Sequence, residues 1–225
     1  STMVNDVHHL MPGHLIEMEL SNHKIDLKIA RWFNLRTDLR ENCCFDDAAE
    51  ELRSIFIDSV RMHMRSDVPI GAALSGGLDS SSIVCAMRSI DHDLDLNTFS
   101  FVPDEAQINE EYWIDLINEN SGARSFKVRL QPSDLVKDLD NLVRVQGEPF
   151  ASSSIYAQYR IFRAFRENGI IVSLDGQGAD EILGGYEQYF QSYLSTRRAT
   201  GKYDVNEEMA IRLRYPAAHL TMKQD

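Results

Sequence analysis

Along the first part of the chain, Leu15, Glu17 and Glu19 fall on one side of an extended backbone and Ile16, Met18 and Leu20 on the other. Polar Ser21-Asn22-His23-Lys24 follows, and Ile25, Leu27 and Ile29 resume the period of two, which predicts a β-hairpin. Two strands alone make no stable core, so the hairpin must pack on something else. Arg36 to Asn42 read as a polar linker. Asp47 with Glu50 three residues on reads as a capping box, and Leu52, Ile55, Phe56 and Val60 share one helical face, so a helix is predicted from about Asp47 to Met64. Strands then alternate with helices. Strand-like Ile70 to Leu74 precedes a helix marked by Ile83, Met87 and Ile90, and Thr98 to Val102 precedes one marked by Trp113, Leu116 and Ile117. Arg124 to Leu130 precedes the stripe Leu135, Leu139 and Leu142, and Ile170 to Leu174 follows an amphipathic segment around Tyr159 and Phe162. This alternation predicts an α/β fold, a mostly parallel sheet flanked by helices and preceded by a short β-hairpin. Ligands of such sheets bind at the C-terminal ends of the strands. After Tyr189 the pattern decays into an aromatic cluster (Tyr189, Phe190, Tyr193), a basic-polar stretch and one weak helix before Pro216, as expected of a chain that stops mid-domain.

Composition narrows the partners. The 225 residues are 43% hydrophobic and 26% charged, ordinary values for a folded protein, which excludes wholesale disorder. Thirty-five acidic against twenty-three basic residues give a net charge of −12 with no segregated basic face, which argues against nucleic acid as a partner. No apolar run reaches the ~20 residues of a membrane helix, and Ser1 to Asp6 lack a signal peptide's regions, so a cytoplasmic protein without membrane contact is expected. Adjacent Cys43 and Cys44 with a lone Cys85 form neither a disulfide framework nor a C-x-x-C metal site, which fits a reducing compartment. His8, His9 and His14 have no further ligand nearby and read as surface groups.

The chemistry concentrates in Ser75-Gly76-Gly77-Leu78-Asp79-Ser80-Ser81, directly between a strand and a helix. Two glycines let the backbone turn sharply, small hydroxyl residues keep the loop thin, and the helix N-terminus offers unpaired N–H groups to an anion. This is the pattern of a phosphate cradle. It has no G-x-x-x-x-G-K-[ST] and no lysine to reach phosphates, and it is not G-x-G-x-x-G. It carries an aspartate instead, and a carboxylate beside phosphate is repulsive unless Mg²⁺ lies between them, which makes Asp79 a candidate metal ligand.

Ser75 to Ser81 resembles the PP-loop of the ATP pyrophosphatases, which cleave ATP between its α- and β-phosphates. Two further stretches narrow the resemblance: Arg65-Ser66-Asp67-Val68-Pro69-Ile70-Gly71-Ala72-Ala73-Leu74 before the loop, and Asp175-Gly176-Gln177-Gly178-Ala179-Asp180-Glu181-Ile182-Leu183-Gly184-Gly185-Tyr186 after a later strand. Together they resemble the paired signatures of the glutamine-dependent asparagine synthetases. The resemblance implies an adenine nucleotide alpha-hydrolase-like PP-loop fold, with ATP and Mg²⁺ as cofactors. Asp79 and Asp180 would be the catalytic acidic residues and would share the metal, while Ser75, Gly76, Gly77, Ser80 and Ser81 would hold ATP and pyrophosphate. Gly176 would approach the nucleotide through its backbone. Leu74 and Phe101 would lie near the adenine, although core packing explains both equally well. Glu148, Gln177 and Glu181 would line the substrate pocket. In plain sequence, however, Glu148 sits in a loop capping a helix, and Asp180 and Glu181 merely complement a helix dipole.

Residues 1–44, including Leu10 to His14 and Trp32, resemble the last hairpin of the family's glutaminase domain plus a linker. Residues 45–225 resemble the ATP-dependent synthetase domain, incomplete at its C-terminus. The implied reaction activates a carboxylate, that of aspartate, as an acyl-adenylate and amidates it with ammonia from glutamine. The partners implied are these small molecules and the glutaminase domain, with room for a homodimer. Several positions depart from the family pattern. The chain starts at Ser1 rather than a cysteine nucleophile, so no glutamine hydrolysis is expected. Gln177 stands where glutamate is common, Asp175 where serine is, and Ser125 or Phe126 where histidine is frequent. The alternatives are a related amidotransferase or β-lactam-synthetase-like enzyme acting on another carboxylate, an RNA-adenylating PP-loop protein, and a nucleotide-binding module without catalysis.

Overall fold

A computed structural model describes residues 2–19, 26–36, 43–104, 110–150 and 152–215. The chain forms two compact units, one of residues 1–59 and 130–160, the other of residues 60–129 and 161–225.

In the first unit, β1 (His14–Glu19) pairs antiparallel with β2 (Asp26–Arg31), His14 opposite Arg31 and Glu19 opposite Asp26. The predicted turn, Ser21 to Lys24, and most of the predicted linker lie outside the described residues. Helix α1 (Phe45–His63) follows, starting two residues before the predicted position and running past Ser59, the end of this stretch of the unit. Its start is not a capping box at Asp47. The Asp47 N–H instead donates to Cys44 Sγ at 3.4 Å, and Asp46 and Asp47 sit in the first turn, where acidic groups complement the dipole. Of the predicted apolar stripe, Leu52 and Ile55 are exposed and only Val60 is buried. α4 (Pro132–Gln146) opens with a capping box, Gln131 with Asp134, and with proline in the first turn. α5 (Ser153–Glu167) begins in this unit, where Tyr156 and Arg160 both donate to Asp138 Oδ2 at 2.9 Å.

The second unit holds the parallel sheet. Its strands are β3 (Ile70–Ala73), β4 (Asn97–Phe101), β5 (Arg124–Val128) and β6 (Val172–Leu174), in the order β5-β4-β3-β6, all parallel. α2 (Leu78–Ile90) links β3 to β4, and α3 (Glu111–Ser121) links β4 to β5. The alternation along β4 assigns its two faces. Phe99, fully buried, stacks on Phe126 and on Phe165 of α5, with ring centroids 4.8 and 3.8 Å away, while Thr98 on the opposite face donates to Asn118 Oδ1 of α3 at 2.5 Å. Asn118 in turn donates to Ser125 Oγ and to the Ile114 carbonyl, so this buried polar group is satisfied. The sheet is thus covered by helices on both faces, as its period predicts. Strand β6 is shorter than the predicted Ile170 to Leu174: Ile170 is buried beside Phe165, and Ile171 is exposed. α6 (Ala179–Leu183), α7 (Tyr189–Ala199) and α8 (Val205–Arg214) complete the unit. The weak helix expected before Pro216 is α8, whereas α7 occupies the stretch read as aromatic and basic-polar. Among the described residues no helix is long and apolar enough to cross a membrane.

Candidate functional site

The strand order reverses direction at β3. The chain moves from β3 to β4 and β5 on one side, then returns to β6 on the other, so the crevice outside the C-terminal ends of β3 and β6 is a topological switch point, where ligands of open α/β sheets bind. Two loops leave the sheet there, one beginning at Leu74 and the other at Asp175.

Leu74 is buried and its N–H extends the ladder by donating to the Phe99 carbonyl at 2.9 Å. The chain then turns at Gly76, whose φ of +89° an L side chain rarely adopts. The hydroxyls of the loop hold it internally. Ser80 Oγ takes the Ser75 N–H at 3.1 Å and donates to the Gly77 carbonyl, the two serine oxygens lie 3.0 Å apart, and the Gly77 N–H donates to Ser75 Oγ. Gly77 is the N-cap of α2 and no side chain caps that helix. The first intrahelical bond comes from the Ser81 N–H to the Gly77 carbonyl, so the preceding amides of Leu78, Asp79 and Ser80 open the helix without an acceptor from its own ladder.

The second loop reaches this helix end. A Cβ on Gly176 would lie 3.1 Å from the Ser80 nitrogen and 3.2 Å from Asp79 Cβ, so the backbone of Gly176 lies directly against the first turn of α2. Gly178 (φ +94°) caps α6, which carries Asp180 and Glu181 in its first turn. The Asp180 carboxylate lies where a Cβ on Gly185 would stand, and the Gly184 and Gly185 N–H groups both donate to the Asp180 carbonyl. The lack of a side chain at Gly185 thus leaves room for that carboxylate where it lies. Glu181 accepts from the Tyr186 hydroxyl at 2.9 Å, and this hydrogen bond pushes the phenol's pKa up.

The predicted residues divide accordingly. Ser75, Gly76, Gly77, Asp79, Ser80, Ser81 and Gly176 share one locus, with Asp180 and Glu181 one short turn beyond Gly176. Gln177 is exposed between the two glycines, Phe101 is half-buried at the end of β4, and Glu148 belongs to the first unit. Glu110 escaped sequence reasoning: its carbonyl oxygen lies 3.1 Å from where a Gly76 Cβ would stand. The available signal was the acidic pair Glu110-Glu111 followed by alternate basic residues, Lys127 on the next strand and Arg129 just past it.

These residues fit an anionic phosphate chain, because the first amides of α2 have no side-chain cap and the missing Cβ of Gly176 keeps its backbone close beside them. For a metal, Asp79 and Asp180 are both half-buried carboxylates, each a hard-oxygen donor of the kind Mg²⁺ takes together with substrate phosphates. No cluster of three or more ligating side chains occurs among the described residues, so any cation here would draw the rest of its shell from ligand and water.

Comparison with known proteins places the chain. It is 33% identical over 147 residues to asparagine synthetase [glutamine-hydrolyzing] 1 of Bacillus subtilis, covering 64% of this chain and 22% of that protein. With asparagine synthetase [glutamine-hydrolyzing] 3 of the same organism it shares 30% identity over 190 residues, 79% of this chain and 30% of that protein. The chain thus spans less than a third of the length of these relatives. Among solved structures, an NH3-dependent NAD synthetase from Campylobacter jejuni matches with a TM-score of 0.40 and 12% identity, over 64% of this chain and 61% of that one. A glutamine-dependent NAD+ synthetase from Acinetobacter baumannii in complex with ADP matches with a TM-score of 0.40 and 17% identity, over 72% and 32%. The asparagine synthase family matches residues 51–223, which contain both loops of the switch point, and this chain belongs to that family.

Proposed function

We propose that the loop from Ser75 to Ser81 binds ATP, that the enzyme activates the side-chain carboxylate of aspartate, and that ammonia completes an amide. A carboxylate oxygen attacks the α-phosphorus, the bond to the bridging oxygen breaks, and pyrophosphate leaves with the electron pair. Ammonia then adds to the acyl carbon of the adenylate, AMP departs and the nitrogen loses a proton. The observation that supports this reading most is the uncapped N-terminus of α2 lying against the Gly176 backbone at the β3/β6 switch point.

In this reading the amides of Leu78 to Ser80 orient the phosphates, and the helix dipole offsets their charge. Asp79 and Asp180 hold Mg²⁺, which when bound neutralises charge on the departing pyrophosphate. Leu74 and Phe101 flank the adenine. Gln177 and Glu181 contribute to the acid's pocket, and Gln177 serves by hydrogen bonding only, since a neutral amide takes no proton at physiological pH. Residues 45–225 form the synthetase domain and residues 1–44 the end of a glutaminase domain that supplies ammonia. ATP consumption and unpaired cysteines support a cytoplasmic location.

Calorimetry with ATP and Mg²⁺ tests the binding half: Asp79→Asn should weaken metal-dependent ATP affinity about tenfold or more, the loss of one charge-assisted contact. Labelled pyrophosphate should exchange into ATP when aspartate is present. Production of ADP and phosphate would overturn the assignment of the cleaved bond. Exchange with another amino, sugar or peptide acid in place of aspartate would reassign the substrate. ATP binding without exchange for any acid would mark a nucleotide-binding module.

A further inference from the structure

Gly76 stands at the tightest point of the loop, and its neighbour is the first turn of α3. A Cβ there would lie 3.1 Å from the Glu110 carbonyl oxygen, 3.2 Å from Glu110 Cβ and 3.3 Å from Ile114 Cγ1. The Glu110 carbonyl is committed to the helix, since it accepts from the Trp113 and Ile114 N–H groups at 2.9 and 3.1 Å. Wherever the start of α3 sits, the wall behind Gly76 sits too.

That start is tied to the edge strand by charge. The Glu111 carboxylate accepts from Lys127 Nζ at 2.8 Å and from Arg129 Nη2 at 2.7 Å to each of its oxygens. Lys127 also pairs with Asp115, one turn further along α3, at 2.5 Å. Lys127 lies on β5 and Arg129 one residue past its end, on the side of the sheet where the nucleotide loop emerges. These side chains keep 26% to 57% of their surface in water, so the pairs add little to folding. Buried Ile114 and Asn118 already dock the helix on the sheet. The ion pairs add control of where its first turn lies.

We infer that Glu111, held by Lys127 and Arg129, is a positioning residue for the nucleotide loop, acting through Glu110 packed on Gly76. The inference rests on reading that loop as the ATP site, and the test separates the two. In Glu111→Ala the clamp is lost, so the amide signals of Gly76 and Gly77 in a ¹⁵N-correlated NMR spectrum should shift. Affinity for ATP with Mg²⁺ should fall about threefold to tenfold, while the thermal midpoint moves by no more than about 4 °C. Glu111→Gln, whose amide oxygen still accepts from both cations, should recover most of the affinity. Unchanged signals at Gly76 and Gly77 together with unchanged ATP affinity in Glu111→Ala would overturn the inference. So would an affinity loss that only follows a general loss of dispersed signals in both variants, because the pairs would then be supports of the fold. Should the unaltered chain bind no ATP while the Gly76 and Gly77 signals still respond to Glu111→Ala, the ATP reading falls and the positioning role stands.

Discussion

Two glycines at the switch point work by different means, and their alanine variants should separate backbone strain from crowding of the ligand's space. Gly76 has a φ of +89° and its Cβ would press on the Glu110 carbonyl, so Gly76→Ala combines an unfavourable backbone region with a close contact. We expect it to cost about 1–2 kcal/mol of stability, read from denaturant unfolding. Gly176 has no such backbone demand, but its Cβ would fill the space 3.1 Å from the Ser80 nitrogen. Gly176→Ala, whose Cβ presses on the first turn of α2 without a backbone penalty, should therefore lose less stability than Gly76→Ala and bind ATP more weakly, and a variant that binds ATP normally would show that the nucleotide does not use this space. The first role is readable from sequence, because Gly-Gly between strand and helix signals a sharp turn. The second is not. Gly176 and Ser80 are 96 positions apart in the chain, and they meet because β6 pairs with β3, an order that no local pattern encodes.

At the scale of elements, legibility followed apolar periodicity. The strands and helices from α1 to β6 carried regular stripes and were foreseen to within a few residues, whereas α7 was not. Of its residues only Leu194 is fully buried, so the 3.6-residue period is missing and polar pairing with α8 takes its place. Glu208 of α8 is 4% exposed and gathers Arg198 at 2.5 Å, Tyr203 at 2.6 Å and Arg212 at 2.6 Å. The Tyr203 hydroxyl first, then Arg212, holds its carboxyl below the ordinary value of 4.5. Depression of the native pKa means that this contribution is complete above the ordinary value and is lost as pH falls through the native one. Glu208→Gln should cost about 1–2 kcal/mol at neutral pH, discounted because both arginines are more than a third exposed. The same variant should lose the share of acid sensitivity that α7 and α8 show below pH 4.5 in the unaltered protein. If the two proteins have parallel stability profiles from neutral pH into acid, Glu208 is not the group responsible.

For the molecule as a whole, the composition announced a folded acidic protein, but not where its stability would reside. The apolar runs alone gave no hint that burial would be so uneven between the two units. Among the described residues, the buried apolar side chains of the second unit include Leu74, Val84, Met87, Phe99, Val102, Ile114 and Phe165, whereas the first contributes Leu142 and Tyr156. The antiparallel pair keeps Ile16, Met18, Leu27 and Ile29 exposed, with 49% to 66% of their surface in water, so its cross-strand bonds have little apolar cover. Backbone hydrogen bonds open with a free energy set by the packing lost on opening, and a two-stranded pair without a covered face is marginal by itself. Hydrogen exchange should therefore rank the strands. Amides of β3 and β4, which lie between two other strands and under buried side chains, should exchange only through opening close to the global unfolding free energy, with ATP slowing them further if the loop at Gly76 binds it. Amides of β1 and β2 should exchange several kcal/mol more easily and respond little to ATP. Equal protection in the antiparallel pair and the parallel sheet would mean that the exposed faces of β1 and β2 are covered in solution, which self-association measured across a concentration series would then reveal.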